Sequence, residues 1–121
     1  IANPENLQKA IDFLNSISGG GSTHLLPALK RSLALNRCRE DIARSIIVVT
    51  DGYVTVEDEA FDLIRDNLDR SSLFAFGIGS SVNRHLIEGM ARIGQGEPFI
   101  VTNESDAYAK ANKLRRYIQY P

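Results

Sequence analysis

Two patterns of hydrophobic residues alternate along the chain. In one, apolar residues recur with the period of a helix, and in the other they form short continuous runs. Apolar residues three or four positions apart predict amphipathic helices at about 5–17, 57–69, 83–93 and 105–118. A fifth helix is predicted to begin after a cap at Ser22 or Thr23. Continuous apolar runs predict strands at 45–50, 72–78 and 98–101. The order is α-α-β-α-β-α-β-α, and strands that alternate with helices indicate an α/β fold with a parallel sheet.

Four β-branched residues in a row, Ile46–Val49, are typical of a strand that is buried on both faces. This run ends abruptly in Thr50, Asp51 and Gly52. Ligands of an open parallel sheet bind in the crevice at the carboxyl ends of the strands. Thr50 and Asp51 are therefore expected to lie where such a fold binds its ligand.

A second loop with suitable chemistry, Gly19–Thr23, precedes the second helix along the chain, the one predicted to begin after Ser22 or Thr23. We expect it to meet Thr50–Gly52 at the same end of the sheet, where the two loops offer hydroxyls, a carboxylate and backbone N–H groups. Oxygen ligands of this kind suit a hard cation such as Mg²⁺ or Mn²⁺.

Composition excludes several other classes of function. The chain has 121 residues, enough for one domain with a modest core. A net charge of -1 gives no electrostatic basis for binding nucleic acid or an anionic membrane. No apolar run approaches the roughly 18 residues of a membrane span, so we expect no membrane insertion. Cys38 is the single cysteine, which rules out an internal disulfide.

Three motifs occur in order along the chain: Gly19-Gly20-Gly21-Ser22-Thr23 before a helix, Thr50-Asp51-Gly52 at the end of a strand, and Phe76-Gly77-Ile78-Gly79-Ser80 at the end of the next strand. Together they resemble the von Willebrand factor type A domain, and they are similar to the branch found in inter-alpha-trypsin inhibitor heavy chains and their bacterial relatives. The resemblance covers nearly the whole chain. It implies a three-layer, Rossmann-like fold in which a parallel sheet is flanked by helices.

The resemblance also implies a site. In that family a divalent cation at a metal-ion-dependent adhesion site (MIDAS) binds an acidic side chain of a protein partner. Thr23 and Asp51 match two of the metal ligands, for Mg²⁺ or Mn²⁺. The rim of such a site would include Ser22, Gly52, Tyr53 and Gly79.

The Asp-x-Ser-x-Ser motif that supplies the other ligands in the family is absent from this sequence. Because the chain begins at Ile1, we expect residues 1–121 to be one partial domain that lacks the first strands and this motif. The cation is then expected in a longer parent protein, with little or no occupancy in this chain. Strand 45–50 would be an exposed sheet edge, which we expect to self-associate or to be covered by residues 1–17.

These observations predict a protein-interaction or adhesion module rather than an enzyme. A metal-independent interaction scaffold is the alternative. A nucleotide- or phosphate-binding enzyme domain is less favoured, because the triglycine loop lacks a P-loop ending and the chain has no Gly-x-Ser-x-Gly elbow. The bacterial relatives of this branch imply an extracellular or cell-envelope location.

Overall fold

The computed structural model describes residues 3–18, 23–36, 41–51, 53–69 and 71–119. Five helices and three strands follow one another in the predicted order. They are α1 (Pro4–Ser16), α2 (Leu25–Leu33), β1 (Arg44–Thr50), α3 (Glu57–Asn67), β2 (Ser71–Ile78), α4 (Arg84–Ile93), β3 (Pro98–Val101) and α5 (Glu104–Gln119). No helix in the described ranges combines the length and apolarity needed to cross a bilayer.

The three strands form one parallel sheet in the order β1-β2-β3, which confirms the predicted α/β fold. In the β1–β2 pair, Arg44 lies opposite Ser71 and Thr50 lies opposite Gly77. β3 joins the far side of β2, with Val101 opposite Ile78. Because the strands are parallel, the carboxyl ends of all three lie at the same end of the sheet.

Alternating residues of β2 enter two separate cores, one on each face of the sheet. Leu73 and Ala75, both fully buried, face the larger core. That core is filled from α2, α3 and α4 by Leu29, Ile64, Leu86, Ile87 and Met90, among others.

On the second face, Phe74 and Phe76 of β2 join Phe99 of β3 in a smaller core. The rings of Phe76 and Phe99 stack with centroids 4.4 Å apart. α5 covers them with Ala107 and Leu114. The sheet is thus flanked by helices on both faces, as the resemblance implies.

β1 is an edge strand, as predicted, but it is not buried on both faces. Ile46 and Thr50 are each 8% exposed, whereas Ile47 is 46% and Val49 63% exposed. The prediction was wrong because a run of β-branched residues shows only that both faces are apolar. Whether a helix covers each face depends on the rest of the fold, and here α5 packs on β3 and β2.

α1 forms where its periodicity predicts. The Asn3 side chain accepts a hydrogen bond from the Asn6 N–H at 2.7 Å, and Pro4 occupies the first turn. However, no residue of α1 is buried. The expectation that residues 1–17 cover the edge of β1 is therefore wrong. Amphipathic spacing shows that a helix has an apolar stripe, but it does not show which other element, if any, the stripe packs against.

The N-terminus of α2 also differs from its prediction. The N-cap is His24, and no side-chain hydrogen bond caps the helix. Thr23 precedes that position and is not the cap, and Ser22 lies outside the described residues. The hydroxyl of Thr23 thus has no capping role.

Candidate functional site

The candidate site lies at the carboxyl end of β1. Thr50, the last residue of the strand, is 8% exposed, and Asp51 follows it on the exposed surface. This places Asp51 where the sequence predicted, at the end of a strand in a parallel sheet. Gly77 of β2 lies opposite Thr50, so the loop after β2 begins beside the loop after β1.

A groove of about 340 Å³ brings Thr23 to the same end of the sheet. It runs between α2 and β1, with Thr23 and His24 lining it from the helix side and Thr50 from the strand side. The rest of the lining is mostly apolar and includes Leu25, Ala28, Leu29, Ile46 and Val48. Thr23 and Thr50 therefore line one groove, whereas Gly19–Ser22 of the first predicted loop lie outside the described residues.

Of the four residues predicted for the rim of the site, two lie in the part of the chain that the structure describes. Tyr53 follows Asp51 by two residues and is 68% exposed. Gly79 has a φ of +99°, a conformation that side chains rarely adopt, and its N–H donates to the Val101 carbonyl at 2.8 Å. Gly79 thus shapes the loop after β2 and ties it to β3. Ser22 and Gly52 lie outside the described residues.

The described residues do not make a complete metal-binding set. Among them, no group of three or more His, Cys, Asp or Glu side chains could hold a metal ion. Thr23 and Asp51 offer one hydroxyl and one carboxylate, whereas Mg²⁺ requires six ligands in near-octahedral geometry. These two side chains alone would leave most of the coordination shell to water.

The sequence analysis did not predict the role of Asn83, which connects the segment before α3 to the start of α4. Asn83 is 7% exposed, and its Nδ2 donates to the Val54 carbonyl at 2.8 Å and to Glu57 Oε1 at 2.6 Å. Its Oδ1 accepts the Leu86 N–H at 3.1 Å, which caps α4. A helix start near residue 83 is visible in the sequence, but a contact that spans 29 residues has no local signal.

The charge on Glu57 strengthens this connection. The hydrogen bond from Asn83 is the main cause that lowers the pKa of Glu57, with a smaller contribution from the nearby His85. A hydrogen bond to a charged acceptor is stronger than one between neutral groups. Val54 and Glu57 are therefore both held by the N-terminus of α4.

Comparison with known proteins places these features in a family context. The family model described as the von Willebrand factor type A domain matches residues 1–98. A von Willebrand factor A domain-containing protein of Dictyostelium discoideum is 30% identical over 113 residues, covering 93% of this chain and 12% of that protein. Inter-alpha-trypsin inhibitor heavy chain H3 of Bos taurus is 32% identical over 118 residues, covering 88% of this chain and 13% of that protein. The chain spans only a small part of these relatives.

A solved structure shares the fold. The conserved hypothetical protein BatB from Bacteroides thetaiotaomicron superposes with a TM-score of 0.78 at 18% sequence identity. The match covers 94% of this chain and 70% of that one. At this level of identity the likeness concerns the fold alone.

Proposed function

Because the chain belongs to the von Willebrand factor type A domain family, we propose that it is a protein-interaction module that binds its partner at the carboxyl end of β1. The observation that carries this proposal is that Thr23 and Thr50 line one groove, with Asp51 directly after Thr50 in the sequence. A hydroxyl and an exposed carboxylate there give the surface polar groups for recognition. The apolar lining of the groove adds surface for contact.

For the finer function, we propose that Thr23 and Asp51 contribute to a divalent-cation contact with an acidic side chain of a protein partner. The cation would be Mg²⁺ or Mn²⁺, because both ligands are hard oxygen donors. Since the described ligand set is incomplete, we expect only weak binding by this chain alone. An extracellular or cell-envelope location belongs to the same proposal and rests on the family alone.

A Mn²⁺ titration followed by NMR tests the cation contact at low occupancy. Stepwise MnCl₂ is added to the ¹⁵N-labelled chain, and we expect selective broadening of the amide signals of Thr23 and Asp51. With a dissociation constant on the order of 10 mM, 10 mM cation would stabilise the fold by only about 0.4 kcal/mol. Paramagnetic broadening is therefore the more sensitive measurement.

The matched control separates this site from general surface charge. Asp51→Asn should abolish the selective broadening, whereas Asp58→Asn, at an exposed carboxylate in the first turn of α3, should leave it unchanged. Broadening that survives Asp51→Asn would contradict the role of Asp51. If Mn²⁺ broadens no signal at this end of the sheet, the metal-independent scaffold becomes the better account.

A further inference from the structure

β3 lies at the edge of the sheet opposite β1. Within the described part of the chain it pairs with β2 alone. Across that ladder, the carbonyls of Glu97 and Val101 accept N–H groups of β2 and of the residue that follows it, at 3.3 and 2.8 Å. Because successive backbone groups turn alternately toward one side of a strand and the other, those of Pro98 and Ile100 point away from β2. Such an edge is a template on which a strand of another chain can pair.

Pro98 reduces the number of hydrogen bonds that this edge can make. It is the first of the four residues of β3. Proline has no backbone N–H, and in sheets it is confined to edge strands, to the first residue of a strand and to bulges. A strand laid along the outer side of β3 would therefore find no donor at this position.

Lys110 occupies a second outward group of the same edge. Its ammonium reaches across from α5 and donates to the Ile100 carbonyl. Asp106, one turn earlier on α5, lies 3.5 Å from that ammonium, and Thr102 Oγ1 donates to Asp106 at 2.9 Å. The side chain of Lys110 is only 32% exposed, so it lies along the protein rather than in solvent. A charged donor makes a stronger hydrogen bond than a neutral one, so an incoming N–H competes poorly for this carbonyl.

A second lysine of α5 adds positive charge beside β3. Lys113 Nζ lies 3.3 Å from Glu97 Oε1, at the start of the strand, and 5.8 Å from the centre of the Phe99 ring. Short edge strands, proline and lysine are features by which proteins avoid pairing between sheet edges. β3 combines all three.

We propose that Pro98 and Lys110 together prevent a strand of another chain from adding to the outer edge of β3. Two ordinary residues at positions 98 and 100 would offer such a strand two N–H donors and two carbonyl acceptors. Pro98 removes one donor and Lys110 engages one acceptor, which halves the hydrogen bonds on offer. An isolated pair of strands is at best marginally stable in water even when fully bonded. The proposal is independent of the proposed function and of the exposed edge at β1.

Hydrogen exchange of the Ile100 amide, measured by NMR, tests this proposal, because that N–H becomes protected when a strand pairs with it. The variant Pro98→Val/Lys110→Met restores the donor and frees the carbonyl, while methionine keeps a long side chain. We expect its Ile100 protection to rise about fivefold or more between about 20 μM and about 1 mM protein, by mass action. In the native chain this protection should stay low and constant. Association through another surface does not bond this amide and leaves it unchanged.

Lys113→Met is the matched control, because it removes a lysine charge from the same side of α5 without freeing the Ile100 carbonyl. It should behave as the native chain does. A similar rise in Lys113→Met and in the double variant would overturn the role of Lys110, since loss of any nearby charge would then suffice.

Protection of the β2 amides shows whether the double variant is folded. If it is not, Lys110→Met alone frees the same carbonyl in a chain that keeps Pro98, and we expect a smaller rise. A folded variant with a free carbonyl whose Ile100 exchange is independent of concentration would overturn the proposal. A native chain in which Ile100 becomes protected as the concentration rises would overturn it as well, because the edge would then accept a strand despite Pro98 and Lys110.

Discussion

At the scale of single residues, the candidate site depends on one buried amide that joins two loops. Asn83 caps α4 with its Oδ1, while its Nδ2 fixes Val54 and Glu57 near the end of β1. Asn103 offers a comparison, since it caps the start of α5 from an exposed position. The cross-loop bonds, rather than the cap, distinguish Asn83.

Replacement of Asn83 should therefore cost more than replacement of an ordinary cap. We expect Asn83→Ala to lower the free energy of unfolding by about 2–3 kcal/mol. Loss of the helix cap accounts for about 1 kcal/mol of this, and loss of the hydrogen bonds to Val54 and Glu57 accounts for the rest. Asn103→Ala should cost about 1 kcal/mol. Urea unfolding of the two variants measures the difference, and equal losses would show that the contacts to Val54 and Glu57 add nothing.

A second residue-scale contact predicts a pH dependence. Tyr117 Oη donates to Glu97 Oε1 at 2.7 Å, and this bond is the main cause that lowers the pKa of Glu97, with Lys113 adding to it. The same bond raises the pKa of Tyr117. Because the pKa of Glu97 is lowered in the folded state, its stabilisation is present above the pKa of the unfolded chain and is lost as the pH falls through the folded pKa. Because the pKa of Tyr117 is raised in the folded state, its stabilisation is present below the pKa of the unfolded chain and is lost as the pH rises through the folded pKa.

Tyr117→Phe should therefore reduce stability at neutral pH, with the difference from the native chain shrinking below about pH 4.5 and above about pH 10. The NMR-measured pKa of Glu97 should also rise in this variant. Tyr108→Phe, at a tyrosine that is 77% exposed, serves as the control and should change neither quantity. An unchanged Glu97 pKa in Tyr117→Phe would contradict the assigned cause.

At the scale of elements, the sequence predicted helices, strands and their order, because periodicity is a local property. It did not predict which apolar faces are covered. Ile47 and Leu14 sit in well-predicted elements and are still exposed, since their covering depends on neighbours distant in sequence. The motifs did predict that Thr23 lies near the end of β1, and Thr23 and Thr50 line one groove. The contact of Asn83 with Val54 went unpredicted, because it joins residues 29 positions apart.

The contact between α3 and α4 gives an element-scale prediction. A Cβ added at Gly89 of α4 would collide with the ring of Phe61 on α3. Although alanine is favoured over glycine in a helix by about 1 kcal/mol, overpacking typically costs 1–3 kcal/mol. We therefore expect Gly89→Ala to destabilise the fold by about 1 kcal/mol in thermal or urea unfolding.

A second substitution separates the collision from other effects of alanine. In a Phe61→Leu background, Gly89→Ala should become neutral or stabilising by up to about 1 kcal/mol, because the ring is gone and the helix preference remains. Glu88→Ala, at the neighbouring exposed position of α4, should change stability by less than about 0.5 kcal/mol in either background. Additive effects of Gly89→Ala and Phe61→Leu would show that the two residues do not collide.

At the scale of the whole molecule, stability should be distributed unevenly. β2 is buried between two cores and pairs on both sides, so its amides open only when the fold unfolds globally. α1 buries no residue, and its exposed hydrogen bonds should open almost freely in a dilute monomer. The resemblance to the family predicted the overall fold, but family likeness does not determine this local difference in stability.

Amide hydrogen exchange measures this distribution. In a dilute sample, amides of α1 should exchange many times faster than those of β2, because little free energy opposes their opening. Strong protection of α1 in this sample would show instead that the helix packs against the rest of its own chain, and the predicted uneven stability would then be wrong.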